Sequence, residues 1–239
     1  MKKYVQHIKI VLIVLLVIVS FSFANYRNDK RTVNKETKIE FLNEESLYIT
    51  HYAVNNLLIQ NKDTASKVHR ESLDLNEVEM LLNEHDMIKD AEVCLTVSGT
   101  LGARIVQRTP IARVAGKEHY YVDDEGKWMP LSPVYAARVP LVTGQVAKDR
   151  LQGVFHLADF IYHDDFLKKN VIGIHKDKAG FKLRFRTDDF VLRLSDLERL
   201  DKKFNNFKAF YQKATKDKSL AAYKAVDLDF DNQVVCTKK

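Results

Sequence analysis

Residues spaced for chemistry are few in this chain of 239 residues. The pattern nearest to a metal site is Asp227-Leu-Asp229-Phe-Asp231, which alternates carboxylates as a calcium loop does. Such a loop needs glycine at its sixth position and a bidentate carboxylate at its twelfth. Those places hold Asn232 and Lys238, and the intervening Leu228 and Phe230 fit a strand with three acids on its wet face. His156 and His163 share a predicted helix with Asp159, Asp164 and Asp165, the one cluster whose donors could ligate a metal. A solvated helix surface is the simpler account of it. Asp123, Asp124 and Glu125 could serve as the acids of a secreted hydrolase, but Asp-Asp-Glu-Gly is also turn chemistry. Eight glycines leave no phosphate-cradling loop and no dinucleotide fingerprint, and no Ser or Cys stands in a nucleophile elbow. The expectation is an interaction protein and not an enzyme, with no catalytic or metal-ligating residues and no cofactor.

Composition supports the same reading. The net charge of +6 is spread among interleaved acids, with no basic stripe carrying stacking aromatics, so no nucleic acid is expected as a partner. The two cysteines, Cys94 and Cys236, offer a single pairing; their β-like apolar contexts favour two buried small hydrophobes instead. The basic cluster at 27–38 suits either lipid headgroups or a solvated linker.

Several elements can be placed from periodicity. Lys38–Leu42 reads as a strand, Thr50–Ile59 as a helix, and Asp74-Leu-Asn-Glu77 caps a second helix carrying Val78, Leu81 and Leu82. Ala91–Val97 and Gly102–Gln107 make a hairpin, giving the order strand, helix, helix, strand, strand. From Pro110 the texture changes to short strands at Ile111–Val114, His119–Val122 and Trp128–Leu131. A helix is predicted from about Lys148 to Lys168, then strands at Ile172–His175, Phe181–Arg186 and Phe190–Leu194. In the middle one of these, Phe181, Leu183 and Phe185 alternate with Lys182, Arg184 and Arg186, so one face is wet. Ser195-Asp-Leu-Glu198 reads as a second capping box, opening a helix whose stripe of Leu197, Leu200, Phe204, Phe207 and Tyr211 should pack on the sheet. Val226–Phe230 and Val234–Lys238 close the chain as strands around a turn in which Asn232 takes the left-handed conformation.

Residues 10–24 form one uncharged apolar run in which 12 of 15 residues are Ile, Val, Leu or Phe. At about 0.4 kcal/mol per residue, its insertion gains about 5 kcal/mol. Fifteen helical residues span about 23 Å against a hydrocarbon core of about 30 Å. Two readings remain: an anchor extended through Asn25 and Tyr26, with Lys9 snorkelling, or a signal peptide cut after Ser22-Phe23-Ala24. Both export the rest of the chain.

Five segments together resemble the FtsQ/DivIB family of bacterial cell-division proteins, in the form found in the Bacteroidetes. They are Met87–Val93, Gly102–Arg113, Tyr121–Gly126, Val139–Gly144 and Val226–Asn232, in this order behind one apolar run. Where the family often has Glu-Arg before Pro-Ile-Ala, this chain has Gln107-Arg108, and where many members turn with Asn-Gly it has Asn232-Gln233.

The resemblance implies an α+β protein: a cytoplasmic tail over 1–9, a transmembrane helix over 10–26, a linker over 27–35, a POTRA-like β-α-α-β-β domain over 36–109, and a mostly antiparallel β domain with two helices over 110–239. It tips the apolar run to an uncleaved anchor with its amino terminus inside, held by Ile10, Leu12, Leu15, Leu16, Ile18, Phe21 and Phe23. It implies a single-pass type II inner-membrane protein, with the bulk periplasmic, placed at the division septum. The implied function is a non-catalytic divisome scaffold that recruits FtsB- and FtsL-like partners for septal peptidoglycan synthesis; the implied partner set extends to FtsK-, FtsW- and FtsI-like proteins. FtsB-like partners would add a strand at the exposed edge formed by Val234, Val235, Cys236, Thr237 and Lys238, with Phe230 and Tyr223 beside it. The other reading is a POTRA-containing periplasmic transport or envelope-assembly component, which predicts tandem POTRA units or a following barrel.

Overall fold

A computed structural model describes residues 2–29, 37–42, 48–63, 74–230 and 233–239. The chain is α+β and divides into two compact units, Met1–Gln107 and Arg108–Lys239.

In the first unit, helix α1 (Lys2–Asp29) contains an 18-residue apolar stretch, Lys9–Tyr26, long and apolar enough to cross a membrane. Ile10, Leu12, Leu15, Leu16, Ile18, Phe21 and Phe23 are all exposed, so the stretch is apolar on every side. Water disfavours such a surface, whereas lipid suits it. A three-stranded sheet follows in the order β1 (Thr37–Phe41), β3 (Leu101–Gln107), β2 (Ile88–Leu95). β1 runs parallel to β3, and β2 runs antiparallel to it. Helix α2 (His51–Asp63) meets β1, and α3 (Leu75–Asn83) meets β2. The helices bury Val54, Leu58, Val78 and Leu82, and the strands bury Phe41, Ala91, Leu101, Ala103 and Ile105. Asp74 caps α3 as expected, its carboxylate accepting from the amides of Asn76 (2.9 Å) and Glu77 (3.3 Å).

The opposite sheet face is charged, because alternate residues along a strand point to opposite sides. Glu40, Arg104 and Glu92 stand in register across it, with Arg104 Nε 3.9 Å from Glu40 and Nη1 3.6 Å from Glu92. Cys94, two residues on from Glu92, shares that face and is an exposed free thiol, which corrects the expectation of a buried hydrophobe. Gln107 is buried, and its Oε1 accepts from the amides of Tyr48 (2.8 Å) and Ile49 (3.2 Å). Gln107 is thus engaged with the main chain just before α2.

The second unit is a nine-stranded sheet in the order β12-β11-β10-β9-β8-β7-β4-β5-β6. These strands are β4 (Pro110–Ala115), β5 (His119–Asp123), β6 (Trp128–Met129), β7 (Leu141–Gly144), β8 (Val171–Asp177), β9 (Gly180–Phe185), β10 (Val191–Leu194), β11 (Tyr223–Asp227) and β12 (Val235–Lys238). Five neighbouring pairs are antiparallel; β4·β7, β7·β8 and β10·β11 are parallel. β6 stops earlier than its pattern suggests, because Pro130 has no amide with which to continue the ladder. Helices α4 (Gln152–His163), α5 (Asp165–Asn170) and α6 (Leu200–Lys216) bury Val154, Leu157, Ile161, Leu167, Phe204 and Phe207 in a core shared with Ile174, Leu183, Phe185 and Leu192. Phe181, Leu183 and Phe185 face inward and Arg184 outward, as the alternation requires.

Two helix boundaries differ from expectation. The single helix predicted to Lys168 breaks at Asp164, whose extended backbone (φ −104°, ψ 114°) and carboxylate, accepting from the Leu167 amide at 2.9 Å, restart it as α5. The unit therefore has three α-helices where two were expected. α6 begins at Leu200, behind a left-handed Arg199, and not at the Ser195–Glu198 box. Asp196 is committed elsewhere: it accepts from the Glu198 amide (2.8 Å) and pairs with Lys203 (2.7 Å).

Candidate partner-binding edge

β12 is the last strand of the nine-stranded sheet and, among the described residues, pairs only with β11. The register sets Lys238 opposite Tyr223, Thr237 opposite Ala225, Cys236 opposite Val226 and Val235 opposite Asp227, with a bulge between Tyr223 and Ala225. On a terminal strand, alternate N–H and C=O groups face outward without a ladder partner. Val234 and Cys236 pack partly against the core, and burial pushes the Cys236 thiol above its ordinary range. Val235 and Thr237 point the other way and are exposed. Tyr223 is held by Phe210 of α6, ring centroids 5.5 Å apart in an edge-on arrangement. The far end of the strand is fixed by the Lys239 amide, which donates to Ala222 O at 2.9 Å, and by Lys239 Nζ, 3.4 Å from Asp189.

Val235, Cys236, Thr237 and Lys238 therefore form one edge, Val234 leads into it, and Tyr223 of β11 stands beside it opposite Lys238. Phe230, exposed at 49%, lies beyond the end of β11 and off the ladder. β11 begins three residues earlier than predicted and ends at Asp227, so Asp229 lies beyond the strand and shares no strand face with Asp227. Asp227 instead accepts from the Asp229 amide (3.0 Å), and Asp229 accepts from the Ser195 amide (2.7 Å), tying this segment to the loop before α6. Asp231 and the Asn232 turn lie outside the described residues.

The far end of the same sheet presents less, and in the first unit β1 and β2 are edge strands. β6 offers two residues before Pro130. On β2, Glu79 of α3 accepts the Val93 amide at 3.1 Å and so covers part of the edge.

Asp123, Asp159, His163 and Asp164, among the remaining candidates for chemistry, are engaged in structure. Asp123 is fully buried; its Oδ2 takes Arg108 Nη1 at 2.7 Å and its Oδ1 accepts from the amides of Glu125 (3.0 Å) and Lys127 (2.7 Å), closing the β5–β6 turn. His163 Nδ1 lies 3.2 Å from Asp159, while Asp164 pairs with Lys208. Among the described residues no cluster of His, Cys, Asp and Glu could hold a metal ion.

A single N-terminal helix long and apolar enough to cross a membrane fits a single-pass membrane protein. Residues 109–237 match the family described as FtsQ/DivIB, C-terminal related. The match spans more than half of the chain, and the chain belongs to this family, which gives it a role in cell division. No curated protein matches the chain significantly.

Proposed function

We propose that this protein is a membrane-anchored division scaffold that recruits FtsB- and FtsL-like partners by strand addition along β12. The observation carrying this reading is the position of β12 at the end of the sheet with one side unpaired. A partner strand laid there gains main-chain hydrogen bonds, while side chains such as Val235 and Thr237 select among partners. Lys238, Lys239 and Lys224 around the edge discourage self-pairing by like charge. On this reading α1 is the single-pass anchor, with residues 1–9 cytoplasmic and the rest periplasmic at the septum. The β1-α2-α3-β2-β3 order supports a POTRA-like role for residues 36–109, the surface open to FtsK-, FtsW- or FtsI-like proteins.

The test is co-purification of the full chain with FtsB- and FtsL-like partners, before and after deletion of Val234–Lys239, and in a Val235→Glu variant that leaves the strand in place. Capture should fall at least tenfold in both variants. Undiminished capture by the deletion variant would reject strand addition; a fluorescent fusion spread evenly around the envelope through septation would reject the division placement.

A further inference from the structure

β4, β7 and β8 are adjacent and mutually parallel, with Gly144 of β7 in register with Lys176 of β8. The chain leaves β4 and β7 in opposite directions: β4 turns to β5 on one side, whereas β7 continues through α4 and α5 to β8 on the other. Where neighbouring parallel strands send their connections apart, a crevice opens at their carboxyl ends. A cavity of about 840 Å³ lies at that point, lined by the β4–β5 turn, the segment after β7 and the end of β8. Its volume is in the range of small-ligand sites.

The walls are basic. Lys117 comes from the β4–β5 turn, Lys148 and Arg150 from beyond β7, and Lys176 from β8. Lys148 is held by Glu118 at 2.7 Å, and Arg150 lies 3.5 Å from Asp149. Among the described residues no carboxylate lies within ion-pair distance of Lys117 or Lys176, leaving an excess of positive charge. Tyr120 forms part of the wall, is only 5% exposed, and its hydroxyl has no hydrogen-bond partner. A buried hydroxyl left unpaired is costly and fits a place where a ligand completes the bond. The floor is rigid: a side chain at Gly144 would meet Lys176 O at 2.1 Å.

We propose that this cavity binds a short acidic peptide, its carboxylates met by Lys117, Lys148, Arg150 and Lys176 and one acceptor met by the Tyr120 hydroxyl. Three of the four cations are lysines, point charges on flexible stems, carried by three separate segments. That spread matches carboxylates distributed along a peptide better than one phosphate, which calls for converging donors. The site is separate from the β12 edge, since β9, β10 and β11 stand between β8 and β12. Deleting β12 should therefore leave it intact.

The chain's single tryptophan, Trp128, has Lys148 Nζ 4.5 Å from its ring centroid and reports directly on this lysine. Full-length protein in lipid nanodiscs, titrated with hexaglutamate, should show a saturable fluorescence change that weakens as salt is added. Isothermal titration calorimetry provides the same curve should the tryptophan be silent. Reversing the exposed charges in the Lys117→Glu/Arg150→Glu double variant should weaken binding at least tenfold, and Tyr120→Phe about threefold. The proposal is overturned by no saturable response in either measurement, by hexaglutamine binding as well as hexaglutamate, by inorganic phosphate saturating the site at the same concentration, or by the charge-reversed variant binding within twofold of the parent.

Discussion

The Arg108–Asp123 pair offers the sharpest test of how the second unit is held together. Asp123 has no exposed surface and the Arg108 side chain retains 15%, so both ends of the 2.7 Å contact are largely out of water. Breaking a buried pair by neutralising one end costs about 3–5 kcal/mol, because the other charge is left without compensation. Asp123→Asn keeps the volume and can still accept the Glu125 and Lys127 amides through Oδ1, so the loss is confined to the Arg108 contact, where an amide donor replaces the accepting Oδ2. Trp128 pairs across from Val122, beside this turn, and its fluorescence follows unfolding of the β5–β6 corner. With a urea dependence of about 2 kcal/mol per molar, the midpoint should fall by about 1.5–2.5 M. Arg108→Met should cost a similar amount. The double variant should cost well below the sum, since it strands neither charge. A midpoint within about 0.3 M of the parent for Asp123→Asn, or strict additivity in the double variant, would refute the structural role and return Asp123 to the list of acids free for chemistry.

Three further outcomes follow from the geometry. At Asp164 burial opposes ionisation, yet the Lys208 ammonium and the Leu167 and Phe166 amides outweigh it and hold the carboxyl below its usual 3.8; Lys182 does the same for Asp177, and Lys203 for Asp196. Depressed carboxyls contribute stability that is complete above the unfolded pKa and lost as pH falls through the folded one, so the second unit, followed by Trp128 fluorescence, should hold its urea midpoint from pH 7 to 5 and lose it below about pH 4; in the first unit burial lowers the His85 pKa, so stability there falls as pH drops through the ordinary histidine range. Asp164→Ala should lower the neutral plateau by about 1–2 kcal/mol through loss of the α5 cap and make the acid limb shallower. Gly180 has φ +126° and its Cβ would sit 2.2 Å from Leu194 O, so Gly180→Ala should destabilise the second unit by at least about 3 kcal/mol in the same urea assay. Maleimide should label exposed Cys94 faster than half-buried Cys236, and a strand-adding partner should slow Cys236 further while leaving Cys94 unchanged, read by mass spectrometry of timed aliquots.

Local signals in the sequence account for much of this fold. Asp74 ahead of Glu77 marks α3, and Phe181, Leu183 and Phe185 reveal both β9 and its inward face, because capping and alternation act within a few residues. The break at Asp164 escapes the same logic: apolar spacing runs from Leu151 through Tyr162 to Phe166 without a gap, and only the Asp164–Leu167 bond shows that the helix restarts. The Ser195–Glu198 box misleads for the opposite reason, since Asp196 within it closes its own turn on the Glu198 amide and α6 starts only at Leu200. That the last strand stands at an edge followed from the family resemblance and not from any local signal. The pairing of β10 with β11 in parallel, and the meeting of β4, β7 and β8 around one cavity, join segments up to 60 residues apart and leave no local mark.

The proposed edge site is short, and that has a physical consequence. β12 spans Val235–Lys238, so an added strand finds only a few outward main-chain groups, each hydrogen bond contributing about 1 kcal/mol net. Exposed Val235 and Phe230 add apolar contact, but ordering a flexible partner segment opposes it. Such a contact is weak between freely diffusing molecules. Holding both partners in one bilayer turns the encounter into one at an effective concentration reaching the millimolar range, and tethering of this kind raises apparent affinity by about 10²–10⁴-fold without any new contact. On the proposed scaffold reading, the apolar helix and the open strand are two halves of one device: the helix supplies the concentration that lets a short, selective and reversible edge suffice, and a longer edge, sufficient alone, would carry the aggregation hazard of any flat exposed strand.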